Sequence, residues 1–258
     1  MNSVVNNSAC PAGRGSLPIR VWRAVKRIPP IGWIWGYVRR LIPALVRLGQ
    51  RASYLSRHAA IRRQHWTKLQ LGAGFNVLDG WLNTDLKRGR DVLFVDATKR
   101  LPFPDGHFEY VFSEHMIEHL AFVQGRQLLR EIHRILRDGG KLRIATPDLA
   151  FLLRLYQNET GPVEREYIAW SVKTFCPDLP VCSVSVMNQG FRGWGHRYIY
   201  DEETLSRELQ DCGFGKVVRY EAGQSDDPVL RGLESHGRII GEFNNRLETL
   251  ALEATKMG

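Results

Sequence analysis

A chain of 258 residues with 43% hydrophobic content holds one good-sized α/β domain with a buried core plus an appendage, which excludes a disordered or fibrous class. Four cysteines, at positions 10, 176, 182 and 212, show no CxxC spacing, so neither a zinc knuckle nor a disulfide framework is indicated and a reducing, cytoplasmic setting is expected. The net charge of +9 is unevenly placed: residues 1–78 contain thirteen Lys or Arg and no Asp or Glu, while the rest holds twenty-three basic and twenty-seven acidic residues. The basic balance therefore describes the N-terminal segment, and the remainder lacks the charge footprint of a nucleic-acid binder.

Residues 1–19 are small and polar without periodicity and read as a disordered tail. Across 20–66, Trp22, Trp33, Trp35 and Tyr37 interleave with basic clusters, and Pro29, Pro30 and Pro43 cut the segment into short helical pieces. Its longest uncharged run, 28–38, falls well short of the ~20 residues that span a bilayer, so no transmembrane helix is expected. Basic residues set among Trp favour a headgroup boundary. Two readings stand: peripheral attachment to an anionic membrane surface on its inner face, and packing of the aromatic face against the chain's own domain.

The domain, 67–258, opens on LQLGAGFNVLDGWLNTDLKRGRDVLFVDATKRLPFPDGHFEYVFSEHMIEHL. Three short apolar runs close on Gly72 and Gly74, on Asp85 and on Asp96, and a fourth, FEYVF, ends at Ser113. Strands of about four to six residues that stop at glycine or carboxylate are the pattern of a parallel sheet whose carboxyl edge forms a ligand crevice. A helix over 122–137 follows, with Leu128, Leu129, Ile132, Ile135 and Leu136 on one stripe, stopped by Asp138-Gly139-Gly140. KLRIATPD is a fifth strand, so the unit is strand, helix, strand with parallel pairing. A short helix covers 149–157. The region 158–195 reads as an irregular, substrate-facing loop. Asp201 caps a helix that ends at Gly213, and GKVVRYEAG and LETLALEATK are the last two strands. Between those strands, 223–246 forms a second substrate-facing loop.

These motifs resemble the class I S-adenosylmethionine-dependent methyltransferases over roughly 68–256. LQLGAG is similar to the family's glycine motif, VDATKRLPFPDGHFEYVFSEHMIEHL to the sequence of its small-molecule branch, and the closing LRGLESHGR…FNNRLETLALEA to a bacterial subgroup without assigned substrate. The resemblance implies a three-layer sandwich around a Rossmann-like, seven-stranded, mostly parallel sheet whose last strand is antiparallel. It implies S-adenosyl-L-methionine as cofactor: Gly72, Ala73 and Gly74 approach its methionine end, Asp85 accepts the ribose hydroxyls, Asp96 and the Ala97 amide meet the adenine, and Ser113, Glu114 and His115 lie close by. Only ten residues separate Gly74 from Asp85, so the first crossover helix is very short or replaced by a loop.

His196, in GWGHRYIYD, and His236, in GLESHGR, are the candidates for a catalytic base, and Asp227 and Glu234 for binding a polar acceptor. HMIEH at 115–119 formally matches the HxxEH pattern of inverted zinc peptidases. Because it joins a strand to a helix inside the methyltransferase pattern and no third ligand helix is evident, no metal is expected; Glu118 and His119 brace the crevice instead. The expected activity is methyl transfer to an O or N nucleophile of a small molecule, sugar or lipid-linked glycan. The alternatives are a catalytically silent cofactor-binding partner protein and a nucleic-acid methyltransferase. The latter lacks NPPY-like, DPPY-like and Pro-Cys motifs.

Overall fold

The computed structural model describes residues 65–87 and 89–258. The expected tail, 1–19, and nearly all of the basic aromatic extension, 20–66, lie outside the described residues. Trp66, at the start of the described chain, packs against the main core.

Seven strands form one sheet: β1 (Lys68–Leu71), β2 (Leu82–Asp85), β3 (Leu93–Phe94), β4 (Phe108–Glu114), β5 (Leu136–Pro147), β6 (Phe214–Tyr220) and β7 (Thr249–Lys256), in the order β3-β2-β1-β4-β5-β7-β6. β1 to β5 pair in parallel, and β7 runs antiparallel to both β5 and β6. This is the expected mostly parallel sheet with an antiparallel last strand. The order reverses between β1 and β4, so the crevice of the sheet opens where Leu71 lies opposite Ser113. No helix intervenes between β1 and β2; a turn closed by Asn76 N donating to Ala73 O (2.8 Å) replaces it, as the ten-residue spacing requires.

The helices are α1 (Phe122–Ile135), α2 (Leu149–Gln157), α3 (Pro162–Phe175), α4 (Ser183–Arg192), α5 (Glu202–Asp211), α6 (Gly237–Ile240) and α7 (Glu242–Glu248). α1 buries Leu128, Leu129, Ile132 and Ile135 against Leu69, Leu71, Val111, Leu142 and Ile144, and α5 adds Leu205 and Leu209 to the same core. Asp201 caps α5 by accepting from Thr204 N at 2.8 Å. The stop of α1 differs from expectation. The helix ends at Ile135, Leu136 is already extended, and 137–140 fall within β5 between the Phe108–Leu136 and Tyr110–Lys141 pairs, where the register shifts and Gly139 takes φ +75°.

The region 158–195, expected to be irregular, contains α3 and α4. Pro162 starts α3, and Tyr167, Ile168 and Val172 form its buried stripe. They join Phe151, Leu155 and Val186 in a second, smaller core. The opposite face of the sheet presents Tyr110, Phe112, Lys141 and Arg143. Among the described residues this face is covered by Trp81 and by the segment that carries Leu230, with Val229 and Leu233 packed alongside.

Candidate active site

At the switch point the chain leaves β1 through two glycines with positive φ, Gly72 (+72°) and Gly74 (+51°), a region that costs a side-chain-bearing residue. A Cβ on Gly72 would lie 2.6 Å from Met116 Cγ, whereas one on Gly74 would meet nothing within 4 Å. The turn is therefore packed on one side and open on the other. Asp85 fixes its shape: Oδ2 accepts Gly74 N at 2.9 Å and Oδ1 accepts Lys87 N at 2.6 Å, with lone pairs left for further donors. Asp96, after β3, accepts Thr98 N (3.0 Å) and Thr98 Oγ1 (2.6 Å), and the Thr98 bonds hold its carboxyl below the ordinary aspartate value.

At the end of β4 two buried polar atoms, Ser113 Oγ and His115 Nε2, have no hydrogen-bond partner, and His115 adopts a left-handed φ of +46°. Open space beside a positive-φ glycine turn, a carboxylate at the next strand end and unsatisfied polar atoms across the crevice fit a polar, nucleoside-bearing cofactor such as S-adenosylmethionine.

Beyond His115 a cavity of about 330 Å³ opens at the carboxyl ends of β4 and β5. Its walls are largely apolar, with Phe151, Phe175, Trp194 and Ile239 among them, while its polar groups are four histidines, three carboxylates, Tyr167, Ser171 and Gln189. His236 Nε2 lies 3.3 Å from Glu248 Oε1, and the Tyr167 hydroxyl donates to the other oxygen of Glu248. The His115 and His236 rings are 4.0 Å apart between centroids. Glu118 is fully buried, and it accepts from Thr146 Oγ1 at 3.0 Å and from His115 Nδ1 at 3.2 Å. Burial alone would lower the His115 imidazole and raise the Glu118 carboxyl, but their mutual hydrogen bond and attraction reverse both shifts. His196 is held below the ordinary histidine value chiefly by burial, against the pull of the Gly190 carbonyl that its Nδ1 meets at 2.6 Å.

His115, His196 and His236, expected at the site, are brought together at this cavity. Gly72, Ala73, Gly74, Asp85, Asp96 and Ala97 all follow the ends of β1, β2 and β3, with Asp85 itself the last residue of β2. Glu114 is turned away from a ligand role: its carboxylate accepts Ser235 N, Ser235 Oγ and His236 N. Asp227 and Glu234 do not line the cavity. Asp227 bonds Lys141 Nζ (2.7 Å) and Tyr110 (3.2 Å), and Glu234 bonds the fully buried Arg143 (2.5 Å), because these two cations alternate on one face of β5 and need carboxylates there. Sequence reasoning missed Glu248 and Tyr167. Glu248 was read as part of the last strand, but it ends α7 one residue before β7 begins.

A family model described as "Methyltransferase domain" matches residues 75–144. The chain is 31% identical over 130 residues to a ubiquinone/menaquinone biosynthesis C-methyltransferase UbiE of Chromobacterium violaceum, covering 49% of this chain and 47% of that protein. It is 24% identical over 207 residues to the protein of the same name from Pseudomonas paraeruginosa, with 73% and 74% covered. The chain thus spans about half the length of the Chromobacterium relative. Among solved structures, an S-adenosylmethionine-dependent methyltransferase from Mesorhizobium loti is similar at a TM-score of 0.45 and 18% identity, over 77% of this chain and 96% of that one. The methyltransferase match runs from Phe75, just after the glycine turn, to Ile144 in β5, and so takes in β2, β3, β4, α1 and most of β5 but not β1. Residues 75–144 thus match a methyltransferase domain, and the similarity to named methyltransferases extends beyond them on both sides.

Proposed function

We propose that the protein transfers a methyl group from S-adenosylmethionine to an O or N nucleophile of a small molecule, sugar or lipid-linked glycan held in the cavity. One observation carries this reading. Crevice and cavity share a wall at 115–116, where Met116 fills the space beside Gly72 while His115 lines the cavity. A methyl donor seated on the glycine turn and an acceptor in the cavity would meet across that wall.

The cofactor supplies, when bound, a methyl group on a positively charged sulfur that needs no further activation. The chain's residues have the task of alignment, which apolar walls around a small set of polar groups support. Glu248 accepts from His236 Nε2–H, leaving Nδ1 as the atom that takes a proton from an acceptor hydroxyl or amine. His196, whose Nδ1–H is committed to the Gly190 carbonyl, keeps its Nε2 lone pair for the cavity it lines. A carbon nucleophile is the second reading, favoured by the relatives' name as C-methyltransferases; the same base would ionise a ring hydroxyl and so activate the neighbouring carbon.

The N-terminal segment, with its thirteen cations and interleaved Trp, supports recruitment of this activity to an anionic membrane surface on the cytoplasmic side. Among the described residues no helix is long and apolar enough to cross a membrane.

The test is a single site for S-adenosylhomocysteine by calorimetry, weakened about tenfold or more in Asp85→Ala, together with an acceptor panel read by the mass of one added methyl. An unchanged affinity in the variant would remove Asp85 from the cofactor site, and absence of binding by the intact protein would sink the proposal.

A further inference from the structure

The floor of the cavity holds a donor set that alignment for methyl transfer does not by itself require. Glu118 and His119 lie on the 3-10 turn Ile117–His119, and His196 directly follows the 3-10 turn Gly193–Gly195. One ligand atom from each of the three lies within 4.8 Å of the others. The backbone ties the two segments together, since Arg197 N (2.7 Å) and Tyr198 N (3.2 Å) both donate to the Glu118 carbonyl.

Two of the three donors are also oriented from behind. Thr146 and His115 fix the two oxygens of Glu118, and the bond from His196 Nδ1 to Gly190 O leaves Nε2 with its lone pair free to coordinate. Outer hydrogen bonds of this kind set tautomer and ring plane in metal-binding histidines. The charge balance points the same way. Glu118 is a fully buried carboxylate, and no Lys or Arg is among the described residues that line the cavity, so only imidazoles stand near to offset it.

From this geometry we infer that Glu118, His119 and His196 bind one divalent transition-metal ion, with its remaining coordination positions facing the cavity. Two imidazoles and one carboxylate suit the iron, cobalt, nickel and zinc group, whereas magnesium and calcium take oxygen ligands. Bonds of about 2.0–2.2 Å draw ligand atoms closer together than 4.8 Å, so the set must contract on binding. That contraction would be taken up by the segment before His196, where Trp194 sits at φ +53° between two glycines. An organic ammonium ion fits less well, because two neutral imidazoles offer it single lone pairs where a metal ion takes both as strong ligands. Resting on the methyl-transfer reading above, an oxygen of the acceptor would complete the coordination and be polarised there.

The experiment uses tag-free protein stripped with chelator and titrated with Co²⁺, followed by ligand-field absorption and calorimetry. One Co²⁺ per chain is expected, with at least a 100-fold loss of affinity in His119→Ala and in His196→Ala and no loss in His133→Ala. Absence of stoichiometric binding, or binding undiminished in both variants, overturns the site. Should an alanine variant fail to fold, His119→Gln, His196→Gln and the Co²⁺-dependent rise in wild-type Tm decide the same question. S-adenosylhomocysteine affinity separates the two readings. Co²⁺ binding without nucleoside binding keeps the metal site and sinks methyl transfer, and the reverse result sinks the metal site alone.

Discussion

The carboxylate of Glu114, at the end of β4, accepts the backbone N–H of His236 at 2.9 Å. The same carboxylate takes the amide and hydroxyl of Ser235, so a single side chain pins the segment between β6 and β7 over the cavity. Glu114 thus fixes the backbone at His236, the proton acceptor proposed above. Glu114→Ala should lower turnover about 10- to 100-fold while S-adenosylhomocysteine affinity stays within about threefold, since the lost interaction orients the base. A large loss of nucleoside affinity with normal turnover at saturation would return Glu114 to the cofactor site.

Arg134 on α1 clamps the loop after β3. It bonds both oxygens of Glu131 (3.0 and 2.6 Å), Asp105 (2.6 Å) and the carbonyls of Phe103 and Leu101, while Glu131 also accepts Leu101 N. Arg134→Met should cost about 2–3 kcal/mol in urea unfolding at neutral pH, because it leaves several partly buried acceptors unmatched. Arg134 holds the Glu131 carboxyl below its ordinary value of 4.5. A depressed folded-state value means the contribution is whole above about pH 4.5 and fades as pH falls through the lower folded value. The gap between wild type and variant should therefore narrow only in acid, and a gap that widens there would refute the assignment.

Gly125, inside α1, offers a test in which helix propensity predicts the wrong sign. Alanine is favoured over glycine in a helix by about 1 kcal/mol, but a Cβ here would stand 2.6 Å from the hydroxyl of the buried Tyr200. Gly125→Ala is expected to be destabilising by about 1–3 kcal/mol through overpacking. Gly125→Ala with Tyr200→Phe should recover much of that loss. A stabilised single variant would show that Tyr200 shifts freely.

The basic leader makes a prediction from charge alone. At about 1 kcal/mol per Lys or Arg near an anionic leaflet, thirteen cations without an acid outweigh the mild negative charge of the rest. Intact protein should co-sediment with phosphatidylserine-containing vesicles and be released by salt, and deletion of residues 1–60 should abolish this while leaving nucleoside binding intact. Loss of thermal stability on deletion, with no vesicle binding by the intact protein, would favour packing on the domain.

The strand ends along the crevice are legible in the sequence because they are local: apolar runs of strand length end at Gly72, Asp85 and Asp96, and the structure turns the chain at those points. The acceptor side was less so. α3 was obscured by neighbouring Pro and Cys, although Tyr167, Ile168 and Val172 carry a helical stripe. Glu118 and His196 are brought together by bonds from Arg197 N and Tyr198 N to the Glu118 carbonyl, a long-range pairing that no spacing rule reports. Asp227 and Glu234 were read as acceptor ligands, yet a signal pointed elsewhere: Lys141 and Arg143 lie two apart on a strand expected to be buried, and two cations on one buried face require carboxylate partners.

The insertion of β7 between β5 and β6 also sets an order of assembly. During synthesis β6 emerges before β7, its one partner among the described strands, and so has no such partner in the sheet until β7 is released and docks. The segment strung between the two strands carries His236 and Glu248, which reach their places over the cavity as that last strand closes. A nascent or truncated chain that binds the nucleoside at the β1–β2 turn would therefore still lack its proton acceptor. On the proposed mechanism, competence for chemistry would await that last strand.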